Sequence, residues 1–148
     1  MKLISPAFEN ETAIPSKFTC DGEDINPELQ ISDVPETAKS LVLIMDDPDA
    51  TGGRTWDHWV VWNIDPKTTL ITENSPPAGG TQGTTSFGSQ KYGGPCPPRG
   101  SRPHRYMFKL YALDIILDLS TSSHKIDIEH SIKGHVVAET NLMGLFGH

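Results

Sequence analysis

Three stretches of the chain have the apolar pattern of buried β-strands. Residues 41–45 form a continuous apolar run of strand length, which predicts a strand buried on both faces. Residues 58–64 are rich in β-branched and aromatic side chains and predict a second strand. Residues 105–113 predict a third strand, because apolar side chains occupy every second position and therefore share one face. These side chains are Tyr106, Phe108, Leu110 and Ala112.

The region between the second and third predicted strands has almost no apolar periodicity. Residues 74–103 consist mainly of Gly, Pro, Ser and Thr. A connection of this length is uncommon in a compact domain unless it is disordered or has a function. We expect a functional loop.

The C-terminal part of the sequence predicts a helix followed by a strand. Residues 126–133 place Ile128 and Ile132 on one helical face, with Ser122 or Ser123 as the expected N-cap and Gly134 as the expected C′ residue. Residues 135–146 predict a final strand. Together the elements predict a mainly β protein, a single domain over residues 1–148 that folds as an antiparallel β-sandwich with one or two short helices.

Composition agrees with this fold class and narrows the function. The 148 residues include 13 Gly and 12 Pro, which interrupt helices and favour turns. A net charge of −7 argues against nonspecific nucleic-acid binding, which needs many phosphate-neutralising cations. We find no signal-peptide pattern and no apolar stretch near the roughly 20 residues of a membrane span. We therefore expect no stable membrane insertion and a cytoplasmic protein.

The two cysteines, Cys20 and Cys96, lie far apart in the sequence. They do not form a CxxC pair, which argues against a structural zinc site. A disulfide between them is an open alternative. Because cytoplasmic proteins are usually kept reduced, we expect free thiols.

Clusters of polar residues lie at the end of the first predicted strand and at the start of the second. Asp46, Asp47 and Asp49 crowd the end of the first strand, either as a solvated acidic turn or as carboxylates that orient a histidine. His58 opens the second strand beside Trp56, either as a packed core histidine or as a pH-sensitive anion ligand.

A third cluster, residues 93–106, is rich in Gly and Pro and lies in the most cationic part of the chain. Between Lys91 and Lys109 there is no Asp or Glu. The segment is either a basic loop that balances the acidic turn or a rigid anion-binding loop. It ends in His104 and Tyr106, which lie two residues apart and project to the same face of a strand. Imidazole and phenol groups can donate hydrogen bonds to phosphate oxygens.

These clusters resemble the signature regions of a known family. The segments Asp47-Pro48-Asp49-Ala50 and Trp56-x-His58, then Gly94-Pro95-Cys96-Pro97-Pro98-x-Gly100 with His104-Arg105-Tyr106, resemble those of the phosphatidylethanolamine-binding proteins, also called Raf kinase inhibitor-like proteins. The chain length and the segment Phe18-Thr19-Cys20-Asp21-Gly22 resemble the compact bacterial and archaeal branch.

The resemblance implies a small anion pocket at one end of the sandwich. Its floor would consist of Asp47, His58, His104 and Tyr106. Its walls would consist of Ala50, Trp56, Gly94, Cys96, Pro97 and Pro98. The implied ligands are phosphate, phosphorylethanolamine head groups, and acetate- or cacodylate-like anions. Thr51 stands where many members have Pro, and we expect the C-terminal helix of eukaryotic members to be absent. We expect these differences to affect lipid and kinase recognition more than anion binding.

We therefore predict a binding protein for phosphate-like anions or phosphorylated groups, with no cofactor and no resident metal. The resemblance implies a regulator or inhibitor of a kinase or serine protease, and a homodimer. Candidate dimer-surface residues are Phe8, Ile14, Trp62 and Met143.

Two alternatives use the same pocket. A hydrolase or metal-dependent enzyme would use Asp47 with His58 or His104 as an acid–base pair or as metal ligands. Cys96 would be a reactive thiol if the cationic loop lowered its pKa. Against catalysis, the sequence has no GxSxG or HExxH motif.

Overall fold

The computed structural model describes residues 1–148 and contains two β-sheets with one α-helix. The strands are β1 (Lys2–Ile4), β2 (Thr12–Ala13), β3 (Leu29–Ser32), β4 (Ser40–Asp47), β5 (Trp56–Ile64), β6 (Leu70–Ile71), β7 (Thr81–Gln82), β8 (His104–Leu113) and β9 (Val136–Phe146). A 3-10 turn covers Ser16–Phe18, and the helix α1 covers Lys125–Ile132. The predicted mainly β fold with short helices is confirmed.

The two sheets and the helix form three layers. The larger sheet has the strand order β2-β9-β8-β4-β5-β7, and the smaller has the order β1-β3-β6. All strand pairs are antiparallel except β2 with β9. A core of 20 buried residues joins the two sheets, and a second core of 8 joins the opposite face of the larger sheet to α1.

Strand β4 lies between these two cores and is buried along its whole length. Leu43 and Met45 belong to the core between the sheets, whereas Val42 and Ile44 pack in the core below α1. Because successive side chains of a strand alternate between faces, a strand covered on both sides needs apolar side chains at consecutive positions. The continuous apolar run of residues 41–45 therefore predicted its burial correctly.

The other main elements follow the sequence pattern closely. The predicted apolar face of β8 is fully buried, and residues 136–146 form the expected last strand. Helix α1 begins one residue earlier than expected, and its N-cap is His124 rather than Ser122 or Ser123. The reason is Asp127, whose carboxylate accepts the backbone N–H of His124 at 2.9 Å. Gly134 follows the helix with a φ of 79°, as the C′ assignment requires.

The long segment 74–103 is held against the edge of β5. The backbone N–H of Gly83 donates to Val60 O at 2.9 Å, and that of Gly93 donates to His58 O at 3.0 Å. Of its residues, only Thr81–Gln82 form a strand. Strand β5 and the loops beside it therefore satisfy part of the backbone hydrogen bonding of the segment, which forms almost no regular structure itself.

The expectation of free thiols is wrong. Cys20 and Cys96 form a disulfide with their Cα atoms 5.4 Å apart. The backbone N–H of Cys20 donates to Pro95 O at 3.1 Å, which already aligns the two segments. The alternative in which Cys96 is a reactive thiol is therefore wrong for this oxidised form.

The proposed dimer-surface residues are mostly inside the chain. Phe8 and Ile14 belong to the core between the sheets, and Trp62 is fully buried below α1. These three side chains are therefore not available to a partner. No helix of the chain combines the length and the apolar character that crossing a membrane requires.

A buried charge cluster fastens α1 to the larger sheet. Asp46 is completely buried, and its Oδ2 lies 2.9 Å from Lys109 Nζ and 3.2 Å from Lys125 Nζ. Lys125 Nζ also lies 2.9 Å from Asp57 Oδ1. Burial by itself lowers the pKa of Lys125, but the carboxylates of Asp57 and Asp46 outweigh this effect and raise it. The ammonium group therefore stays charged and links the first turn of α1 to two strands.

We predict that Lys125→Met lowers the free energy of unfolding by about 1–3 kcal/mol, because a buried carboxylate loses one of its two cations. Urea unfolding measures the change. The matched control is Lys2→Met, which removes an exposed lysine 3.9 Å from Asp33 and should leave stability unchanged. A Lys125→Met variant as stable as the wild type would show that the cluster does not stabilise the helix.

Candidate functional site

A cavity of about 270 Å³ opens at one end of the larger sheet. Strands β5 and β8 both pair antiparallel with β4, so the end of β4 adjoins the starts of the other two. Side chains from these three strand ends and from the loop before β8 surround the space. The lining residues are Asp47, Ala50, Thr51, Trp56, His58, Phe87, Cys96, Pro97, Pro98, His104 and Tyr106.

All of the sequence-predicted site residues line this cavity except Gly94. The backbone N–H of Gly94 instead donates to Asp24 Oδ1 at 2.7 Å, on the outer side of the wall. A side chain at Gly94 would collide with Asp24 and with the backbone of Phe18 and Thr19. Gly94 therefore allows two segments to approach closely, and a role in contacting the ligand remains only a prediction.

A β-bulge directs His58 into the cavity. The register pairs Met45 with Trp59 but Asp46 with Asp57, which leaves His58 as the extra residue of β5. Simple alternation would place His58 and Trp59 on opposite faces of the sheet. The extra residue places both on the face of the core between the sheets, because a bulge locally interrupts alternation.

Asp47 holds the ring of His104. Its Oδ2 accepts a hydrogen bond from His104 Nδ1 at 2.8 Å, and both side chains are buried. The other carboxylate oxygen accepts the backbone N–H of Asp49 at 2.8 Å. Since both oxygens of Asp47 already have donors, its role in the site is to orient His104, and Nε2 is the ring nitrogen left for a ligand.

His58 is arranged in a similar way by a backbone group. Its Nδ1 lies 2.7 Å from Gly93 O, and a carbonyl oxygen only accepts, so Nδ1 must carry the proton. Nε2 is again the remaining nitrogen. Burial lowers the pKa of His58, and the Gly93 carbonyl and nearby carboxylates oppose this effect only in part. The neutral form of the His58 ring is therefore favoured.

Tyr106 lies between the two histidines. Its ring is fully buried, 5.3 Å from the His58 ring in an edge-on contact and 6.4 Å from the His104 ring in a stacked one. Burial raises the pKa of Tyr106, and the charges of Asp47 and Asp49 raise it further. Its hydroxyl therefore keeps its proton at neutral pH and can donate a hydrogen bond.

Two arginines of the basic segment 93–106 contact acidic side chains. Arg105 forms a two-point contact with the carboxylate of Asp49, at 3.0 Å through Nε and 2.8 Å through Nη2. This hydrogen bonding lowers the pKa of Asp49 to about 2. Arg99 lies 3.5 Å from Asp21. The alternative that the basic loop balances the acidic turn is therefore confirmed for Arg105.

The mouth of the cavity is aromatic. The rings of Trp56 and Phe87 meet edge-on with centroids 5.5 Å apart, and the side chains remain 39% and 48% exposed. Phe87 and Thr51 were not predicted to line the cavity, because both lie in irregular segments without a periodic pattern. The only signal for Phe87 was a single large aromatic residue among Ser and Gly.

The cavity wall of residues 92–98 is fastened to the segment of residues 18–24. The hydroxyl of Tyr92 donates to Phe18 O at 2.7 Å, and the disulfide joins Cys96 to Cys20. His148 Nε2 contacts Pro97 O on the outer side of the same wall. These contacts fix Pro97 and Pro98 beside the two histidines without any regular secondary structure.

The pocket residues do not gather their atoms as a metal centre does. Only one group of three possible metal ligands has all its ligand atoms within 4.8 Å of one another, and it consists of Cys20, Asp21 and His148. Asp47, His58 and His104 do not form such a group. The metal-dependent alternative for the pocket is therefore not favoured by its geometry.

We predict a pH dependence of stability that comes from His58. Because its folded-state pKa is lowered below 6.5, the unfolded chain binds more protons in this range. Its contribution is complete above the unfolded pKa and is lost as pH falls through the folded value. Urea unfolding from about pH 5 to about pH 7.5 should show a steeper rise in the wild type than in His58→Gln. Identical slopes would contradict this assignment. Asp49 titrates near pH 2 and does not interfere.

Comparison with known proteins agrees with the geometry. The sequence model of the phosphatidylethanolamine-binding protein family matches residues 4–147. A UPF0098 protein of Methanothermobacter thermautotrophicus is 48% identical over 99% of this chain and 98% of its own length. One of Pyrococcus horikoshii is 45% identical over 97% of this chain and 75% of its own length.

Solved structures show the same fold. A homologue of phosphatidylethanolamine-binding protein from Chlamydia trachomatis has a TM-score of 0.93 at 38% identity, covering 99% of this chain and 96% of its own. YbcL of E. coli has a TM-score of 0.92 at 28% identity, covering 99% and 98%. A carboxypeptidase Y inhibitor, solved with its cognate proteinase, shares the fold alone, with a TM-score of 0.57 at 20% identity over 91% of this chain and 75% of its own. The chain belongs to the phosphatidylethanolamine-binding protein family.

Proposed function

We propose that the protein binds a phosphate-like anion or a phosphorylated group in this cavity. The observation that carries the proposal is the arrangement of its two imidazoles. In both His58 and His104, a protein acceptor occupies Nδ1, so Nε2 is the nitrogen available to a ligand. Tyr106 adds a protonated hydroxyl between them.

Such a site binds an anion together with protons. A phosphate oxygen accepts a hydrogen bond from the Tyr106 hydroxyl and from Nε2 of a protonated imidazole, and bonds to charged donors are the stronger kind. Because burial favours neutral His58, the proton on its Nε2 must arrive with the ligand or from solvent. On His104, the carboxylate of Asp47 accepts the hydrogen bond from Nδ1 and so leaves Nε2 as the nitrogen for the ligand.

The size and rim of the cavity favour a small ligand. Its volume of about 270 Å³ lies near the lower limit of ordinary small-molecule sites, so it suits one anionic group and a short attached chain. Trp56 and Phe87 offer apolar surface and aromatic faces to the part of a head group that leaves the pocket.

The finer roles stay predictions. A regulator or inhibitor of a kinase or serine protease would use the pocket to receive a phosphorylated or acidic side chain of its partner. The hydrolase alternative has no specific support, because Cys96 is held in a disulfide and the sequence has no GxSxG motif.

Isothermal titration with phosphate and with phosphorylethanolamine tests the proposal, using metal-stripped wild type and His104→Ala. We expect the variant to bind about 10- to 100-fold more weakly, because one charge-assisted hydrogen bond is lost. The matched control is His135→Ala. His135 pairs with Asp114 through Nδ1 at 2.9 Å, but this pair is exposed and lies outside the cavity.

A second variant keeps the proposal testable if His104→Ala disturbs the fold. Tyr106→Phe removes only the hydroxyl and keeps the buried ring, and it should also weaken binding. Wild-type affinity in both variants, or no binding by the wild type, would overturn the proposed function. Equal losses in the His135→Ala control would point to a general effect of removing a histidine.

We further predict that anion binding takes up protons. Titration of phosphate near pH 7.5, in two buffers with different ionisation enthalpies, should give a positive net proton uptake. The affinity should rise as pH falls from about 8 to about 6.5, the range in which imidazole gains its charge. His58→Gln should take up fewer protons than the wild type. Binding without proton uptake would exclude the proposed role of the two Nε2 atoms.

A further inference from the structure

We propose that reduction of the Cys20–Cys96 disulfide creates a zinc site in the wall of the cavity, which Cys96 also lines. Cys20, Asp21 and His148 would supply three ligands, and Cys96 the fourth. This inference goes beyond the anion site and does not depend on it.

The possible ligand atoms are already close together. Those of Cys20, Asp21 and His148 all lie within 4.8 Å of one another. Ligands about 2.0–2.3 Å from a tetrahedral zinc ion are roughly 3.3–3.8 Å from each other, so only small side-chain movements are needed. The sulfur of Cys96 adjoins the group because it is bonded directly to that of Cys20.

The surroundings of His148 match those of a metal ligand. Its Nε2 faces Pro97 O, and its Nδ1 lies 2.7 Å from Asp21 Oδ2. A histidine ligand usually donates its second N–H to a carbonyl or carboxylate, which leaves the other nitrogen for the metal. At present both nitrogens face acceptors, and the metal would replace the proton between Nδ1 and Asp21. The second oxygen of Asp21 is oriented by Arg99 at 3.5 Å.

The two sulfurs are open to a reductant and would stay neighbours after reduction. Both cysteines are exposed. The backbone hydrogen bond from Cys20 to Pro95 O at 3.1 Å, and that from the Tyr92 hydroxyl to Phe18 O at 2.7 Å, hold the same two segments together independently. The site is therefore arranged before the metal arrives.

The chemistry has two steps. A dithiol supplies two electrons and two protons, the S–S bond breaks, two thiols form, and the reductant becomes a disulfide. Zinc then displaces the protons of the two thiols to solvent as both become thiolates. Since a disulfide provides no thiolate, the covalent bond and the metal are alternative ways to close the same wall.

The test compares oxidised and reduced full-length protein that is metal-stripped and carries no affinity tag. A phosphine serves as reductant because it does not compete for zinc as a dithiol does, and water supplies the oxygen of the phosphine oxide. Zinc affinity is measured by competition with a chromophoric chelator. Co²⁺ replaces zinc as a spectroscopic probe of thiolate ligation and tetrahedral geometry.

We expect the reduced protein to bind one zinc ion per chain at least about 100-fold more tightly than the oxidised protein. Co²⁺ should show thiolate charge-transfer absorption only after reduction. Asp21→Asn and His148→Ala should each weaken zinc binding about 10-fold or more. Asp21→Asn keeps the shape of the side chain, so it still tests zinc ligation if His148→Ala disturbs the packing of the wall. The matched control is His135→Ala, which removes an imidazole–carboxylate pair with no cysteine nearby and should bind zinc normally.

Zinc binding that is no tighter in the reduced protein would overturn the proposal, and so would wild-type affinity in both ligand variants. The readout needs no phosphate. Phosphate titration of the same oxidised samples therefore separates a failure of the zinc site from a failure of the anion site.

Discussion

The pairing of β4 with β5 on one side and β8 on the other is the constraint on which the structure depends. Both pairs are antiparallel, and β4 is buried on both faces. This burial keeps the strand in one register, because a shift by one residue would exchange its two apolar faces and its two terminal carboxylates. The same register brings the end of β4 beside the starts of β5 and β8, where Asp47, His58 and His104 meet.

The two neighbouring carboxylates at this strand end have separate roles because alternation directs them to opposite faces. Asp46 lies on the helix side, where it holds Lys109 and Lys125 and so positions α1. Asp47 lies on the cavity side, where it orients His104. An irregularity in the neighbouring strand completes the site, since the bulge at His58 gives the cavity its second imidazole. Regular strand pairing therefore places Asp47 and His104 in the polar floor, and the bulge adds His58.

Fixed cations are absent from the lining of the cavity, which contains no lysine or arginine. Two arginines of the basic segment 93–106, Arg99 and Arg105, are paired with Asp21 and Asp49. The polar lining of the cavity includes the Tyr106 hydroxyl and the imidazoles of His58 and His104. The wall beside them has little regular structure and relies on the disulfide and a few hydrogen bonds. Reduction of the two cysteines would act on this wall directly. Asp21 and His148 lie beside Cys20 in the same wall.

The sequence by itself determined the elements whose signals are local. The apolar run of β4, the alternation of β8 and the glycine after α1 predicted structure correctly, because each reports burial or backbone conformation at its own position. The family signatures also identified most of the residues around the cavity.

The tertiary structure alone decided which distant segments meet. Cys20 and Cys96 are 76 residues apart, and only the path of the segment 74–103 along β5 brings them together. That path also places Phe87 at the cavity mouth and Gly94 outside it. The direction of His58 depended on a one-residue shift in pairing, and pairing between strands is a property of the folded chain that no single segment contains.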